Sequence, residues 1–473
     1  MSLNSILQIG SSAASAYQTA INVTSENISN VNTPGYSRQT AVLETAPQSS
    51  PSGGLFMGNG VGVVSIQRAY DAVLQKELVN AQTSQGYDTT QSTALQAIQP
   101  AFNEVSTDGL GAAIDGFFNS WQNVAGDPTS TSARQGVLTS AQNLVDNFNS
   151  VSKSLSDAAA TQNSSLVALT SNINQNLTNI AQLNGQIKAI GASGGDTNEI
   201  KDQRDLAIQN LSQQIGITYT ENSDGTTDVK FADNGAALVT GSQAGSFSLT
   251  TPGAPASNLY TVNLTPVGGV IGVVSPVSGT LGSTLNLRDT VIPGYQKQVD
   301  TLAQTIATAV DTQQKAGSDL TGAAGIALFN PAPPATATGA TIAVNSTFTT
   351  SNIAAAAGGS PAGSSDNTNA LAIADLANNT ANPAMPGQTF SNYYNSLVTQ
   401  VGQDVQTSGN NVTRDQTYSN QLSTLQQSNS GVSLDEELVN LTKYQQSYQA
   451  SAKVISTATS MIDTVLALIG APG

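Results

Sequence analysis

In 473 residues there is no cysteine and no histidine, which excludes disulfides, thiolate zinc sites, cysteine nucleophiles, Ser-His-Asp triads and the commonest metal ligand. A net charge of −16, with 10% charged residues and no basic cluster, excludes nucleic acid as a partner, because nothing would displace the counterions of a phosphate backbone. The length suits about three domains, and no apolar run approaches the ~20 residues that membrane insertion requires.

Residues 2–31 place apolar or small side chains at alternating steps of three and four: Leu3, Leu7, Gly10, Ala14, Tyr17, Ile21, Thr24, Ile28 and Val31. That spacing predicts a heptad seam on a helix about 45 Å long. The segment has no basic leader, its first cation being Arg38, so it does not read as a cleaved secretory signal. It runs into SENISNVNTPGYSRQ, residues 25–39. There Thr33-Pro34-Gly35-Tyr36 fits a type II turn, and Pro34 stops the helix because residues before proline avoid the α region. Asn27, Asn30 and Asn32 flank the seam residues Ile28 and Val31. Asparagine is a poor helix former, so three of them point to local capping or to hydrogen bonds with a neighbour, and the residues alone leave both open.

A Gly-rich stretch (53–62) and a short strand (61–66) precede helical patterning over 69–98 and 111–123. A longer helical run follows through Leu144, Phe148, Val151 and Leu155, then Leu166, Leu169, Ile173, Leu177, Ile180, Leu183, Ile187 and Ile190. The next helix carries KDQRD, residues 201–205, which reads as an ordinary Lys201–Asp205 surface pair of about 0.3–0.5 kcal/mol. From Ile217 the period changes to two, and ITYTENSDGTTDVKF predicts a hairpin turning at Asp224-Gly225. Short strands continue to about 288. Asp224 and Asp228 lack the spacing of a calcium loop. Helix returns over 291–315, then loop and strand, then helix over 389–429.

The C-terminal segment repeats Leu434, Leu441, Tyr448, Ile455, Ile462 and Ile469 every seven residues, with Leu438, Gln445, Ala452, Thr459 and Leu466 between them. Ser433 and Glu436 read as a capping box, the adjacent Glu437 as a complement to the helix dipole, and Gly470 as the stop. Amphipathic helices at both ends each need a partner for one stripe, which they can find in each other or in copies of themselves.

SENISNVNTPGYSRQ closely resembles the asparagine-rich motif near the N-terminus of bacterial flagellar axial proteins, the rod, hook and junction subunits. GVGVVSIQRAYDAVLQKEL, STDGLGAAIDGFFNSWQNVAGDP with Arg134 following, NEIKDQRDLAIQNLS, GSDLTGAAGIALF and GVSLDEELVNLTKYQQSYQASAKVISTATSMIDTVLALIG are similar to the hook-associated junction family within that group. The similarity is dense over 1–216 and 389–473, and between them it lies mainly in layout. One departure is Ser25-Glu26, where the family commonly has Ala-Asn.

The resemblance implies an elongated, multi-domain, mainly α chain with β-rich inserted outer material. Its divisions would be an N-terminal axial helix and signature turn (1–45), a helical shaft (46–216), a β-rich outer domain (217–289), a returning shaft helix (290–317), a loop and β-rich insertion (318–388), further shaft (389–429) and a C-terminal axial helix pairing with the first (430–473). It assigns Asn27, Asn30, Asn32, Thr33, Pro34, Gly35 and Tyr36 to the axial signature. It also implies that both seams pack in the inner wall of a tube. The implied partners are copies of the chain, the hook protein, a second hook-associated junction protein and a flagellar export chaperone. The implied setting is the extracellular flagellum, reached through the flagellum's own channel, with no catalysis, cofactor or metal. Two other readings stand beside it: a filament or hook subunit, and a glycan-cleaving enzyme housed in 217–388 with paired carboxylates.

Overall fold

The computed structural model describes residues 3–46, 58–102, 109–251, 259–331 and 336–469. Part of the expected Gly-rich stretch (53–57), the stop at Gly470 and the side chain of Ile469 lie outside the described residues.

The two ends of the chain form one hairpin. Helix α1 (Leu3–Ser29) runs antiparallel to the last helix, α10 (Leu434–Ile469): Gly10 faces Ser451 and Ile455, Tyr17 stacks on Tyr444, and Asn27 meets Glu437. A side chain at position 10 would collide with Ile455, so glycine there sets how closely the helices approach. A second face of α1 is covered by the antiparallel strands β1 (Gln39–Thr45) and β2 (Val61–Arg68), with Ala20, Val23 and Ala41 buried against Val63, Ile66 and Tyr444.

Two larger cores lie beyond this hairpin. The first joins α2 (Ala72–Ile98), α3 (Leu110–Gly126) and the first half of α4 (Thr131–Ala192). It is completed by α7 (Ile292–Ala316), α8 (Thr368–Asp375) and the first part of α9 (Phe390–Ser430), around Phe117, Trp121, Phe148, Tyr295 and Tyr394. The second packs the later half of α4 and α5 (Asn198–Gln214) against two antiparallel sheets. One sheet is β3 (Ile217–Glu221), β4 (Thr227–Phe231), β5 (Ala237–Thr240) and β6 (Gln243–Ala244); the other is β7 (Ser246–Thr250), β8 (Thr261–Thr265) and β9 (Gly272–Val273). Both cores share α4, whose 62 residues span about 93 Å at 1.5 Å per residue. Its apolar residues recur every three or four positions along both halves, so one helix serves both cores.

Two expectations change. Strands were expected to about 288, but α6 (Gly279–Asn286) is helical and continues through a π-turn, Leu287–Val291, into α7. Leu281 and Leu285, four apart, bury one face against the second core, and that burial overrides the weak helix preference of its Gly, Ser and Thr residues. Residues 318–388 contain mostly irregular backbone with two-residue strand pairs and α8, and their Leu328, Phe329, Ile342, Ile353 and Ile373 belong to the first core.

Arg134 shows how a cation is used inside this core. It is buried, its Nε donates to the Pro128 carbonyl at 2.7 Å, and its Nη1 donates to the carbonyls of Thr350 and Ile353 at 3.0 and 2.7 Å. It thereby ties the start of α4 to the 318–388 segment.

On the facing helices α2 and α9, the buried Asp88 and Asp415 share one guanidinium, Arg414, at 3.4 and 3.0 Å. Burial, then the neighbouring Asp415, pushes the Asp88 carboxyl up to about 6, and burial pushes Asp311 up to about 6 as well. A carboxyl that is harder to ionise in the folded than in the unfolded chain favours folding below the ordinary carboxylate range. That advantage is lost as pH rises toward 6. Asp88→Asn, which supplies Asp415 with a permanent donor, is therefore expected to raise the melting temperature at pH 7.5 by about 2–4 °C. It should also remove the Asp88 share of the stabilisation that the natural chain gains on acidification from pH 7 to 5, leaving that of Asp311, as read by calorimetry.

Candidate functional site

The asparagine-rich segment sits where the hairpin meets the rest of the molecule, and one carboxamide organises it. Asn27, fully buried in the last turn of α1, accepts the Gln39 N–H at 2.9 Å and donates to the Gln39 carbonyl at 2.8 Å. It thus satisfies the first residue of β1 as a neighbouring strand would. Its Oδ1 also accepts from the Tyr36 hydroxyl at 2.8 Å, and its Nδ2 donates to Glu437 Oε2 at 3.1 Å. Two donors and two lone pairs are all used. Burial, then Glu26, raises the Tyr36 phenol above its ordinary value, which keeps its hydroxyl a donor.

The turn that delivers Tyr36 follows from its sequence. Tyr36 N–H donates to the Thr33 carbonyl at 3.2 Å, and Gly35 takes φ +80°, a value that glycine tolerates and L-residues rarely adopt. Asn30 closes locally: its Nδ2 donates to the Glu26 carbonyl at 3.2 Å and its Oδ1 accepts from Thr33 Oγ1 at 3.1 Å. Asn32 and Pro34 are exposed. Within the chain, Asn30 therefore bonds locally and Asn27 bonds to segments distant in sequence.

Beyond the turn, Arg38 clamps the start of α10. Its Nε donates to Glu437 Oε1 at 2.8 Å, its Nη1 pairs with Glu436 at 3.0 Å, and its N–H donates to the Ser430 carbonyl at 2.8 Å. Glu437 is 2% exposed and Glu436 63%. The reading of the two glutamates as dipole complements is corrected for Glu437, which is an interior anion shared by Arg38 and Asn27. Its partners lie about four hundred residues away in sequence, so local spacing gave no sign of them.

KDQRD needs a similar correction. Lys201 pairs with Glu221 at 3.0 Å and not with Asp205. Asp205 and Asp202 are buried with Arg68, at 2.7 and 2.8 Å, and Arg204 also reaches Asp205 at 3.0 Å. Sequence analysis missed Arg38, Glu437, Arg68 and Asp202. The one available signal was rarity, since in a chain with so few charges those that persist are candidates for specific pairing.

The seams divide. On α1, Gly10 and Thr24 are buried, Leu3, Leu7, Ala14, Tyr17, Ile21 and Ile28 are half-buried, and Val31 lies beyond the helix. On α10 the line nearest α1 is Glu437, Tyr444, Ser451 and Ala458, with Leu441, Ile455 and Ile462 half-buried beside it. Leu434, Leu438, Tyr448 and Leu466 are exposed. At 100° per residue that exposed stripe is centred roughly 80° around the helix from the line facing α1. A helix of this pattern covers its partner with one face and leaves the adjacent apolar face free.

In residues 217–388, Asp224, Asp228, Asp233, Asp300, Asp311, Asp319 and Asp366 each accept backbone N–H groups and so hold turns and caps. Glu221 and Asp224 line an open surface depression, where each is paired with a lysine, Lys201 and Lys188 respectively.

The chain matches three families: "Flagellar hook-associated protein FlgK helical domain" over residues 95–329, "Flagella basal body rod protein" over 7–36, and "Flagellar basal body rod FlgEFG protein C-terminal" over 426–468. The last two cover the ends that pair in the hairpin. It is 29% identical to flagellar hook-associated protein 1 of Escherichia coli, over 98% of this chain and 100% of that one. It is 26% identical to flagellar hook-associated protein 1 of Bacillus subtilis, over 99% and 98%. Its fold is similar to the solved structure of the flagellar hook junction protein FlgK from Burkholderia pseudomallei, with a TM-score of 0.64 at 18% identity, covering 74% of this chain and 99% of that chain.

Asn27→Ala is expected to destabilise the hairpin by about 2–3 kcal/mol, because it leaves buried groups of Gln39 and Glu437 without partners. Asn32→Ala should change it by less than about 0.5 kcal/mol. Hydrogen exchange at residues 36–45 and 437–445 measures both, and equal effects of the two substitutions would contradict the assignment.

Proposed function

The chain belongs to the flagellar hook-associated protein 1 family, and we propose that its two ends, locked into one hairpin, are the part by which it assembles. It is a structural protein of the hook–filament junction in the extracellular flagellum and not an enzyme. Among the described residues no helix is long and apolar enough to cross a membrane. Assembly with other flagellar components follows from that membership.

The observation that carries the proposal is the free apolar stripe of α10. Leu434, Leu438, Tyr448 and Leu466 are between 38% and 61% exposed, on a helix whose adjacent face is already occupied by α1. Copies of the chain packed side by side would cover this stripe, and the signature turn at Asn30–Tyr36 lies at the base of the same hairpin. Hook protein on one side and a second hook-associated protein on the other are the partners such a ring would meet. Before assembly, an export chaperone would shield the same stripe.

Leu438→Asp and Leu466→Asp test the reading. In the free subunit both positions face water, so melting of the two cores should not change. In an assembled wall a buried, unpaired carboxylate costs about 3–5 kcal/mol, enough to lower incorporation more than about 100-fold. Flagella of normal number and length in cells carrying either substitution would overturn the proposal.

A further inference from the structure

The hairpin and the second core have separate buried apolar clusters, and among the described residues none bridges them. Two short chain crossings connect hairpin to body: residues 69–71 between β2 and α2, and residues 431–433 between α9 and α10. Between these crossings the contacts are polar and specific. Asp202 on α5 accepts Ser37 N–H at 2.8 Å and Ser37 Oγ at 2.9 Å, and Arg68 Nη1 lies 2.8 Å from Asp202 and 2.7 Å from Asp205. The Arg68 guanidinium rests on the Tyr70 ring, 4.2 Å from its centroid, and Asn198 Nδ2 donates to the Ile66 carbonyl at 2.8 Å.

We propose that Arg68, with Asp202 and Asp205, is a positioning joint that sets the angle between the assembly hairpin and the body of the subunit. An apolar contact tolerates sliding because it has no direction. Here Arg68 Nη1 donates to Asp202 and makes an ion-pair contact with Asp205 on the same helix, and Asp202 in turn accepts from Ser37 N–H and Oγ. Rotating the hairpin would separate Arg68 and Ser37 from the largely buried Asp202 carboxylate that holds both, so one orientation is preferred. The Arg38 side chain ties the base of the hairpin to α10, its backbone N–H reaches Ser430 at the end of α9, and the Arg68 side chain ties the hairpin to α5. The specificity is geometric: in a ring of copies, the hairpin angle decides where each body projects from the wall.

This inference rests on the reading of the hairpin as the assembly part, and its test is made on the free subunit so that the two can fail separately. The chain lacks cysteine, so Gln182→Cys on α4 and Thr457→Cys on α10, both exposed, take spin labels uniquely. Pulsed electron resonance between them is expected to give a narrow distance distribution in the natural background. Arg68→Met should make it roughly twofold broader while both cores melt within about 2 °C of their usual temperature. The double variant Arg68→Met, Asp202→Leu removes the guanidinium together with the carboxylate it would leave unpaired, while Asp205 keeps Arg204. It should fold stably and remain broad, because the bonds from Asp202 to Arg68 and Ser37 are gone. If Arg68→Met does not fold, the double variant decides alone. A narrow distribution in Arg68→Met, or a return to the natural width in the double variant, would overturn the proposal, since charge balance and not geometry would then be the role of these residues.

Discussion

The hairpin depends on one carboxamide that takes the place of a strand. Asn27 gives Gln39 both the acceptor and the donor that an adjacent β-strand would supply, and with its remaining capacity it holds Tyr36 and Glu437. No other uncharged side chain of that length offers a donor and an acceptor side by side. Aspartate would face Glu437 with a second negative charge, and leucine would leave the backbone of Gln39 unpaired in the interior. The same device recurs on α4, where Asn174 exchanges hydrogen bonds with Phe247 N–H and carbonyl, and Asn184 does so with Thr227 while also reaching Gly241. In a chain with few charges, amides attach strands to helices.

This arrangement lets ends far apart in sequence close on each other without a large apolar core. The cluster under α1 contains Ala20, Val23 and Ala41, small residues that bury modest area. Polar bonds at Asn27, Arg38 and Glu437 supply the register that such a thin core cannot. Farther out, the single helix α4 carries both cores, so bending between them would disrupt a continuous hydrogen-bonded spine. Rigidity along the shaft and a polar joint at its base are consistent with a subunit that must present fixed geometry to its neighbours.

Much of the fold was legible because period is a local property. Leu144 through Ile190 announce α4, and the alternation from Ile217 announces the first hairpin of the insert. The contact line between α1 and α10 was not legible in the same way. On α10, heptad spacing picks out large residues such as Leu434, Leu438 and Tyr448, whereas the close approach to α1, whose Gly10 the spacing did include, uses Ser451 and Ala458, whose small side chains carry little hydrophobic signal. The charged site was hidden for another reason. Spacing along a helix reveals partners four residues away, but Arg38 meets Glu437 across 399 residues and Arg68 meets Asp202 across 134. The turn residues Pro34 and Gly35 were readable because backbone sterics alone dictate them. The role of Asn27 was not, because it requires Gln39, Tyr36 and Glu437 to be brought together first.

The most direct measurement of the central claim is electron cryo-microscopy of isolated hook–filament junctions at side-chain resolution. The account predicts α1 and α10 of each chain paired as in the free subunit, with Asn27 on Glu437 and with Leu434, Leu438 and Leu466 against neighbouring chains. Terminal helices separated from each other within a chain, or a leucine stripe facing open solvent in the assembled wall, would contradict it.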